Sequence, residues 1–337
     1  MQKPPTMRDV ADSAKVSQAT VSLVLSGVPN ARISKATRRR VIEAADALGY
    51  RREKVRSLRE NHRRLIGLFI DEVSTTAFAS PLIEGAREQA GLHNAYVATF
   101  CTAGNPDVER EALHMLASQD AIGVIYTTLI TREVAVPEMF LEFPLVLLNC
   151  YERKLRFASI VPGDFVGGYT ATETLLKAGH RRIAHLAGEH SMDAGRDRER
   201  GFRQAMADWS VPVDESLVTL GGWRLPAGRE RALALLQRPD RPTAVFCFND
   251  RMALGCNEAA RSLGLRVPED LSIVGFDDET DLAAGMDPPL TTMVLPHDEM
   301  ARLAVSFLAE GGDADERLQK VKIECELVTR SSIAPPP

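Results

Sequence analysis

Met7-Arg8-Asp9-Val10-Ala11-Asp12-Ser13-Ala14-Lys15-Val16-Ser17-Gln18-Ala19-Thr20-Val21-Ser22-Leu23-Val24-Leu25-Ser26-Gly27 holds two short amphipathic segments joined by a turn. Thr6 followed by Asp9 has the spacing of a capping box with Thr6 as N-cap, and Val10, Ala11 and Ala14 then share one helix face. Lys15 and Val16 make a tight connection. Ser17 is placed to cap a second helix, whose buried face is Val21, Val24 and Leu25 and which breaks at Ser26-Gly27-Val28-Pro29-Asn30. A third helix is expected from Ser34, burying Val41, Ala44, Ala45 and Leu48 and stopping at Gly49. Two short helices and a turn, braced by a third, describe a helix-turn-helix.

In such a unit the second helix enters the major groove N-terminus first, so Gln18, Ala19 and Leu23 are the expected base contacts. Gln18 can pair bidentately with adenine, whereas Ala19 and Leu23 offer only apolar contact to a thymine methyl. Ser17, Thr20, Ser22, Thr37 and Arg38 suit phosphates, which fix register without reading sequence. The competing reading makes all of these ordinary solvent-facing residues of a small helical domain.

Charge bears on that choice. The 337-residue chain has a formal net charge of -5, but Met1 to Arg64 hold 15 Lys and Arg against 6 Asp and Glu, a balance of +9. The remainder holds 26 against 40, a balance of -14. A basic DNA-reading module joined to an acidic globular domain produces this split; a solvated basic tail would too, but would not carry apolar helical periodicity. The five cysteines, Cys101, Cys150, Cys247, Cys256 and Cys325, are odd in number and include no Cys-x-x-Cys pair. Several sit in apolar runs, where free cysteine behaves as a small hydrophobe, so a cytoplasmic location is expected. No apolar stretch reaches the ~18 residues that would span a bilayer, and a charged helical pattern stands where a signal peptide would have an apolar core.

From Met7 to Gly27 the sequence resembles the signature of the lactose-repressor (LacI/GalR) family. The resemblance implies a transcriptional regulator, a repressor whose operator affinity is changed by a small-molecule effector. Two positions depart from the family pattern. Lys15 stands where many members have glycine in the turn, which suits a backbone that is not strongly left-handed. Leu23 stands where several members carry a polar or cationic base reader, so operator preference does not transfer. After Gly49-Tyr50 the family continues with a proline and a hinge helix whose leucine enters the minor groove. Here Arg51 to Leu58 lacks the proline and is one residue shorter, leaving Leu58 as the candidate wedge. The alternative is a plain linker helix whose Val55 and Leu58 pack on a partner. Either way Arg51, Arg52, Lys54, Arg56, Arg59, Arg63 and Arg64 favour the phosphate backbone and a salt-dependent affinity.

Beyond Leu65, short apolar runs alternate with amphipathic segments of helical length, the pattern of an α/β domain with parallel sheets. Expected strands are residues 65–70, 95–100, 123–128 and 145–149, then 183–186, 217–220, 244–249 and 273–276. Expected helices are 81–92, 108–117, 165–177, 198–207, 228–236 and 251–263. The runs fall into two groups of similar size, which implies two lobes and a cleft. Ligands of open parallel sheets settle at the carboxyl ends of the strands. The polar residues there are Asp71 and Glu72, Thr127 and Thr128, Asn149, Asn249 and Asp250, and Asp277 and Asp278; each taken singly is as well explained as a cap or turn former.

The resemblance continues through Ala178-Gly179-His180-Arg181-Arg182-Ile183-Ala184, Pro242 to Asp250, Gly264 to Asp278 and Pro288-Pro289-Leu290-Thr291-Thr292. It implies a two-lobed domain similar to periplasmic sugar-binding proteins, with three crossings between lobes. The expected fold class is therefore an α helix-turn-helix headpiece with a two-lobed, periplasmic-binding-protein-like α/β effector domain. Boundaries are 1–50 for the headpiece, 51–64 for the hinge, 65–330 for the effector domain and 331–337 for a tail. Within the effector domain the N-lobe takes about 65–162 and 293–330, and the C-lobe about 163–292. Residue by residue, the resemblance makes Arg198, Trp223, Asn249 and Asp277 effector contacts from the C-lobe, faced by Phe78, Thr127 and Asn149. The chemistry suits a saccharide: a carboxylate accepts from adjacent hydroxyls, a guanidinium donates in a fixed fork, and an aromatic face covers the C–H side of a ring. For Trp223 a role as a surface plug competes. Phe78 and Leu295 give the cleft an apolar wall, which favours a glycoside or disaccharide over a highly charged ligand. A purine is the alternative effector, since some members of the family stack purines on aromatic side chains.

An enzyme would need chemistry the sequence lacks: there is no G-x-G-x-x-G after the first strand, no P-loop, no G-x-S-x-G and no H-E-x-x-H. His180 and His185 lie across a loop-to-strand junction and make no joint metal site; His180 is expected to end a helix as a favourable cation. No cofactor or metal is expected. A periplasmic binding protein would share the sensor fold, need a signal peptide and have no use for the headpiece. The expected partners are a near-palindromic double-stranded operator, a small-molecule effector and a second copy of the chain, because one headpiece offers few base contacts. After Arg330 no leucine heptad follows from which to build a tetramer.

Overall fold

Capping organises the headpiece. In the computed structural model, Thr6 donates through Oγ1 and its backbone N–H to Asp9 Oδ2 at 2.7 and 2.6 Å, opening helix α1, Met7–Ala14. Ser17 Oγ accepts from Thr20 N at 3.1 Å at the start of α2, Gln18–Leu25, and Ser34 Oγ does the same for Thr37 N at 3.1 Å at the start of α3, Lys35–Ala47. Val10, Ala11, Ala14, Val21, Val24, Val41, Ala44 and Ala45 close into one small core. Two expectations are corrected. Leu48, the C-cap of α3, remains 38% exposed and stays outside the small core. Lys15 lies at φ 52°, ψ 53°, squarely left-handed, so the turn imposes on lysine the strain that glycine would avoid.

The structure describes residues 5–25, 33–48, 64–71, 78–311 and 320–337, and not the side chains of Ala19, Ser22, Leu23, Lys35 and Thr280. Leu58 and the rest of the expected hinge lie outside the described residues. The chain divides into two units, Met1–Arg63 and Arg64–Pro337.

The second unit is built on two six-stranded sheets. The N-lobe sheet contains β1 (Arg64–Ile70), β2 (Ala95–Cys101), β3 (Gly123–Glu133), β4 (Leu145–Tyr151), β5 (Ala158–Pro162) and β11 (Val321–Ile323), in the order β11-β5-β4-β3-β1-β2. The C-lobe sheet contains β6 (Ile183–Leu186), β7 (Val218–Thr219), β8 (Ala244–Cys247), β9 (Ser272–Asp277), β10 (Thr291–Val294) and β12 (Leu327–Val328), in the order β12-β10-β9-β8-β6-β7. All pairings are parallel except β10 with β12. The strands are near-continuous apolar runs because helices cover both faces. Those helices are α4 (Ala79–Leu92), α5 (Pro106–Ser118) and α11 (His297–Ala309) on the N-lobe. On the C-lobe they are α6 (Asp164–Lys177), α7 (Asp193–Asp208), α8 (Leu225–Leu236), α9 (Asp250–Ser262) and the short α10 (Thr280–Gly285). Each sheet thus separates two apolar clusters.

The assignment of 293–330 to the N-lobe is corrected at both ends. Met293 and Val294 belong to β10, and the chain returns to the C-lobe after Ile323, since β12 pairs with β10. Residues 331–337 are not a loose tail: Ser332 is 1% exposed and donates through Oγ to Ile273 O at 2.6 Å. Arg64, expected to favour phosphate, instead donates to Ala309 O at 2.7 Å and His93 O at 2.9 Å, locking the first residue of β1 to α11 and to the end of α4. Among the described residues no helix is long and apolar enough to cross a membrane, and Cys150, Cys247, Cys256 and Cys325 are buried and free while Cys101 is exposed.

Candidate functional site

The carboxyl ends of the two sheets face a cavity of about 320 Å³. Arg198 is its most constrained charge. It sits in α7, and α7 approaches α6 through two glycines: a Cβ on Gly168 would lie 2.4 Å from Arg198 O, and one on Gly201 would lie 2.2 Å from Phe165 O. Glycine is therefore required for the helix crossing that brings Arg198 to the cavity. There its Nε donates to Asp164 Oδ1 at 2.8 Å, and Nη1 donates to Phe248 O at 2.6 Å and to Asp277 Oδ1 at 3.2 Å. The guanidinium also stacks 3.6 Å from the Phe276 ring centroid, with Phe248 on another side.

Burial dominates the electrostatics. The side chains of Asp164, Arg198 and Asp277 are 4%, 4% and 7% exposed. Desolvation pushes Asp277 up to about 7 despite the opposing pull of Arg198, and raises Asp164 for the same reason. Behind them Asp250 accepts from Thr292 Oγ1 at 2.5 Å and from Glu279 N at 2.8 Å, and burial raises it to about 8. Asp277 is held at φ 109°, a left-handed backbone at the end of β9. His297, buried at the start of α11, is lowered to about 4 by desolvation and faces the cavity as a neutral ring.

Six of the seven expected effector contacts line this one cavity: Phe78, Asn149, Arg198, Trp223, Asn249 and Asp277. Asn249 also caps α9, accepting from Met252 N at 2.9 Å, and its Nδ2 donates to Trp223 O at 2.9 Å, so capping and positioning of the Trp223 loop coincide in one side chain. Asn149 accepts from Thr131 Oγ1 at 2.6 Å and donates to Thr128 O at 2.8 Å. Thr127 is corrected: it is fully buried and outside the cavity lining, because β3 runs on to Glu133 and presents Thr131 there instead. Leu295 lines the wall as expected.

The sequence reading missed Asp164, Thr131, Met192, Arg251 and His297. Asp164 follows the apolar run Ala158–Pro162 after a single glycine, so recognising that strand would have marked it. Arg251 follows the flagged Asn249-Asp250 pair and grips Glu279 through Nε at 2.9 Å and Nη2 at 3.2 Å, while its guanidinium lies 5.5 Å from the Phe78 ring centroid on the other lobe. Met192 carried no signal. His180 is not a helix-ending cation. It is buried against Thr243 Oγ1 (2.9 Å) and Ala334 O (2.8 Å), and desolvation lowers its pKa, so it pins the C-terminal residues as a neutral ring.

In the headpiece, the N-terminal residue of α2, Gln18, is exposed. Ser17 and Thr20 share a 2.9 Å hydroxyl contact on top of the cap, Thr37 joins Ser34 in the same way, and Arg38 is half-buried. Ala19, Ser22 and Leu23 lie on α2, their side chains outside the described residues.

Residues 6–53 match the model of bacterial regulatory proteins of the lacI family, and residues 172–333 match a periplasmic binding protein-like domain. The HTH-type transcriptional repressor PurR of Vibrio vulnificus (strain CMCP6) is 33% identical over 333 residues, covering 97% of this chain and 98% of that protein. The chain belongs to the LacI family. It is a transcriptional repressor of that family, and not an enzyme. Two solved structures resemble this LacI-family chain over nearly its whole length. The lac repressor dimer bound to operator and the anti-inducer ONPF is 26% identical with a TM-score of 0.67, covering 98% of this chain and 100% of that one. The complex of the transcriptional regulator CelR with cellobiose is 29% identical with a TM-score of 0.65, covering 97% and 99%.

Proposed function

We propose that this LacI-family repressor reads a near-palindromic operator as a homodimer and responds to a saccharide or glycoside held between the lobes of its second unit. The observation that carries the effector reading is the presence in one cavity of a fixed carboxylate and guanidinium, Asp277 and Arg198, with two amides, Asn149 and Asn249, and two aromatic side chains, Phe78 and Trp223. Hydroxyls donate to Asp277 and accept from Arg198, the amides do both, and the aromatic faces take the apolar side of a sugar ring. Leu129, Ile130 and Leu295 extend the apolar wall for an aglycone or a second ring. That CelR is solved with cellobiose supports the class, and that the lac repressor is solved as a dimer on its operator supports the assembly. A purine is the second reading, favoured by the stacking faces of Phe78 and Trp223.

On DNA, Gln18, Ala19 and Leu23 read bases, Ser17, Thr20, Ser22, Thr37 and Arg38 hold phosphates, and Leu58 is the candidate minor-groove wedge. Ligand weakens operator binding in this reading, and operator weakens ligand binding by the same factor.

Two measurements test it. In a thermal-shift screen of mono- and disaccharides and purines, a ligand at about 100 times its Kd stabilises by roughly 2.7 kcal/mol; Asp277→Ala and Arg198→Ala should abolish the shift, and survival of the shift in both would refute the site. In gel retention with duplexes selected from a random pool, Gln18→Ala should relax the preference at one base position, whereas Arg38→Ala should weaken all sequences alike. Retention indifferent to salt would refute the phosphate assignments.

A further inference from the structure

Two side chains of the N-lobe reach across the edge of the cleft to the helix that carries Arg198. Tyr151, the last residue of β4, donates through Oη to Asp193 Oδ2 at 2.6 Å, and Asp193 is the first residue of α7. Lys322, in β11, places Nζ 3.8 Å from Asp197 Oδ2, one turn further along the same helix. Residues 193 and 197 share one face of α7, while Ala194 and Arg198, about 100° further round, line the cavity. One helix therefore turns one stripe to the ligand and the adjacent stripe to the opposite lobe.

We propose that Tyr151, assisted by Lys322, is a positioning residue: it ties the N-terminal end of α7 to the N-lobe and so sets how far the cleft stands closed before any ligand arrives. The inference rests on the effector reading of the cavity and adds a determinant of its resting state. The two ties are unequal. Lys322 is 52% exposed and its contact is long, so water screens much of it. The Asp193 carboxylate is 19% exposed and held from the other side by Arg196, which leaves it a fixed acceptor for the phenol. Lys320 places Nζ 3.1 Å from the Tyr151 ring centroid, orienting the ring from within the N-lobe strand region. Asn149 stands two residues before Tyr151, so the N-lobe strand that lines the cavity also supplies the tie. Opening the lobes breaks a hydrogen bond to a charged acceptor, which biases the closing equilibrium by about tenfold or more.

The test reads lobe separation with no ligand present. A spin label on the exposed native Cys101 in the N-lobe and another on Glu258→Cys, an exposed position of α9, report the distance by double electron–electron resonance. Dilution with unlabelled chain removes distances between copies. Tyr151→Phe keeps the ring and its Lys320 contact and removes only Oη; Asp193→Asn removes the charge of the acceptor. Both should move at least five-fold of the closed-to-open ratio toward the longer distance while the melting temperature stays near that of the parent, which a merely structural role would not produce. Unchanged distance distributions in both variants, or a parent that is already open, would overturn the proposal, as would opening in only one of the two. Because no sugar or purine enters the measurement, failure of the effector reading leaves this result standing, and the converse also holds.

Discussion

Arg198→Met keeps most of the side-chain length and removes the cation lying between Asp164 and Asp277. Two carboxylates, 4% and 7% exposed, then face each other without it, and Phe248 O loses a donor at 2.6 Å. Breaking a buried pair by deleting one partner costs about 3–5 kcal/mol. Protonation sets a ceiling on each stranded charge. Neutralising a carboxylate of unfolded pKa near 4 costs about 5 kcal/mol at pH 7.5 but only about 2 kcal/mol at pH 5.5. Asp277, already at about 7, is mostly neutral at the lower pH and contributes little there. The variant should therefore fall below the parent by about 3–5 kcal/mol at pH 7.5 and by less than half of that at pH 5.5. Urea unfolding followed by tryptophan fluorescence measures this directly, because the chain's two tryptophans, Trp209 and Trp223, both belong to the second unit and report it without the headpiece. Adding Asp277→Asn to Arg198→Met should recover part of the loss at pH 7.5. An equal deficit at both pH values, with no recovery in the double variant, would mean that packing rather than stranded charge explains the site.

The remaining predictions concern other parts of the chain. Asp250, raised to about 8 when folded, favours the folded state below its unfolded pKa near 4, and that contribution is lost as pH rises through 8. Asp250 should thus lower the stability of the second unit by about 1 kcal/mol between pH 7 and 8, Asp277 at about 7 adds a smaller fall in the same window, and Asp250→Asn should remove the larger part of the slope. Lys15→Gly should stabilise the headpiece by about 1 kcal/mol by relieving the left-handed turn, seen as a higher midpoint in helical circular dichroism of the first transition. Gly168→Ala should destabilise the second unit by roughly 1–3 kcal/mol, since the added methyl meets backbone at 2.4 Å, and should displace Arg198 enough to blunt any ligand-induced thermal shift.

Helices announced themselves where an apolar stripe ran for three turns or a cap preceded it. Thr6, Ser17 and Ser34 were legible as caps because capping is a local matter of one oxygen and a donor two or three residues on. Strand ends were less so. Thr127 and Thr128 read as the mouth of β3, yet the strand continues to Glu133 after a register shift against β4, and that irregularity depends on a neighbour 20 residues away in sequence. The strands Ala158–Pro162 and Thr291–Val294 are short, and a four- or five-residue apolar run has no period to betray it. The return crossing after Ile323 was given no position, residues 293–330 being assigned to the N-lobe without a break: β12 has two residues, and only its partner β10 gives it meaning. At the site, Asn149, Asn249 and Asp277 were found behind recognised strands, whereas Asp71, Thr127, Thr128, Asp250 and Asp278, flagged on the same ground, do not line the cavity, and Asp164 and His297 follow elements that were not recognised. The family resemblance supplied Arg198 and Trp223, whose side chains sit on a helix and a loop where strand-end reasoning has no reach.

Both sheets receive an outer strand from the final stretch of chain: β11 completes one flank of the N-lobe beside β5, and β12 completes one flank of the C-lobe beside β10. On the ribosome, neither lobe can reach its finished hydrogen-bonding complement until residues past 320 have been made. The flank of β5 is therefore uncovered from residue 162 until β11 is made, and that of β10 from residue 294 until β12 is made, each able to template pairing with a neighbouring chain. In a repressor of this topology each flank stays open until residues 321–328 have been made, and a chain that stops short of Val321 leaves both lobes unfinished at once.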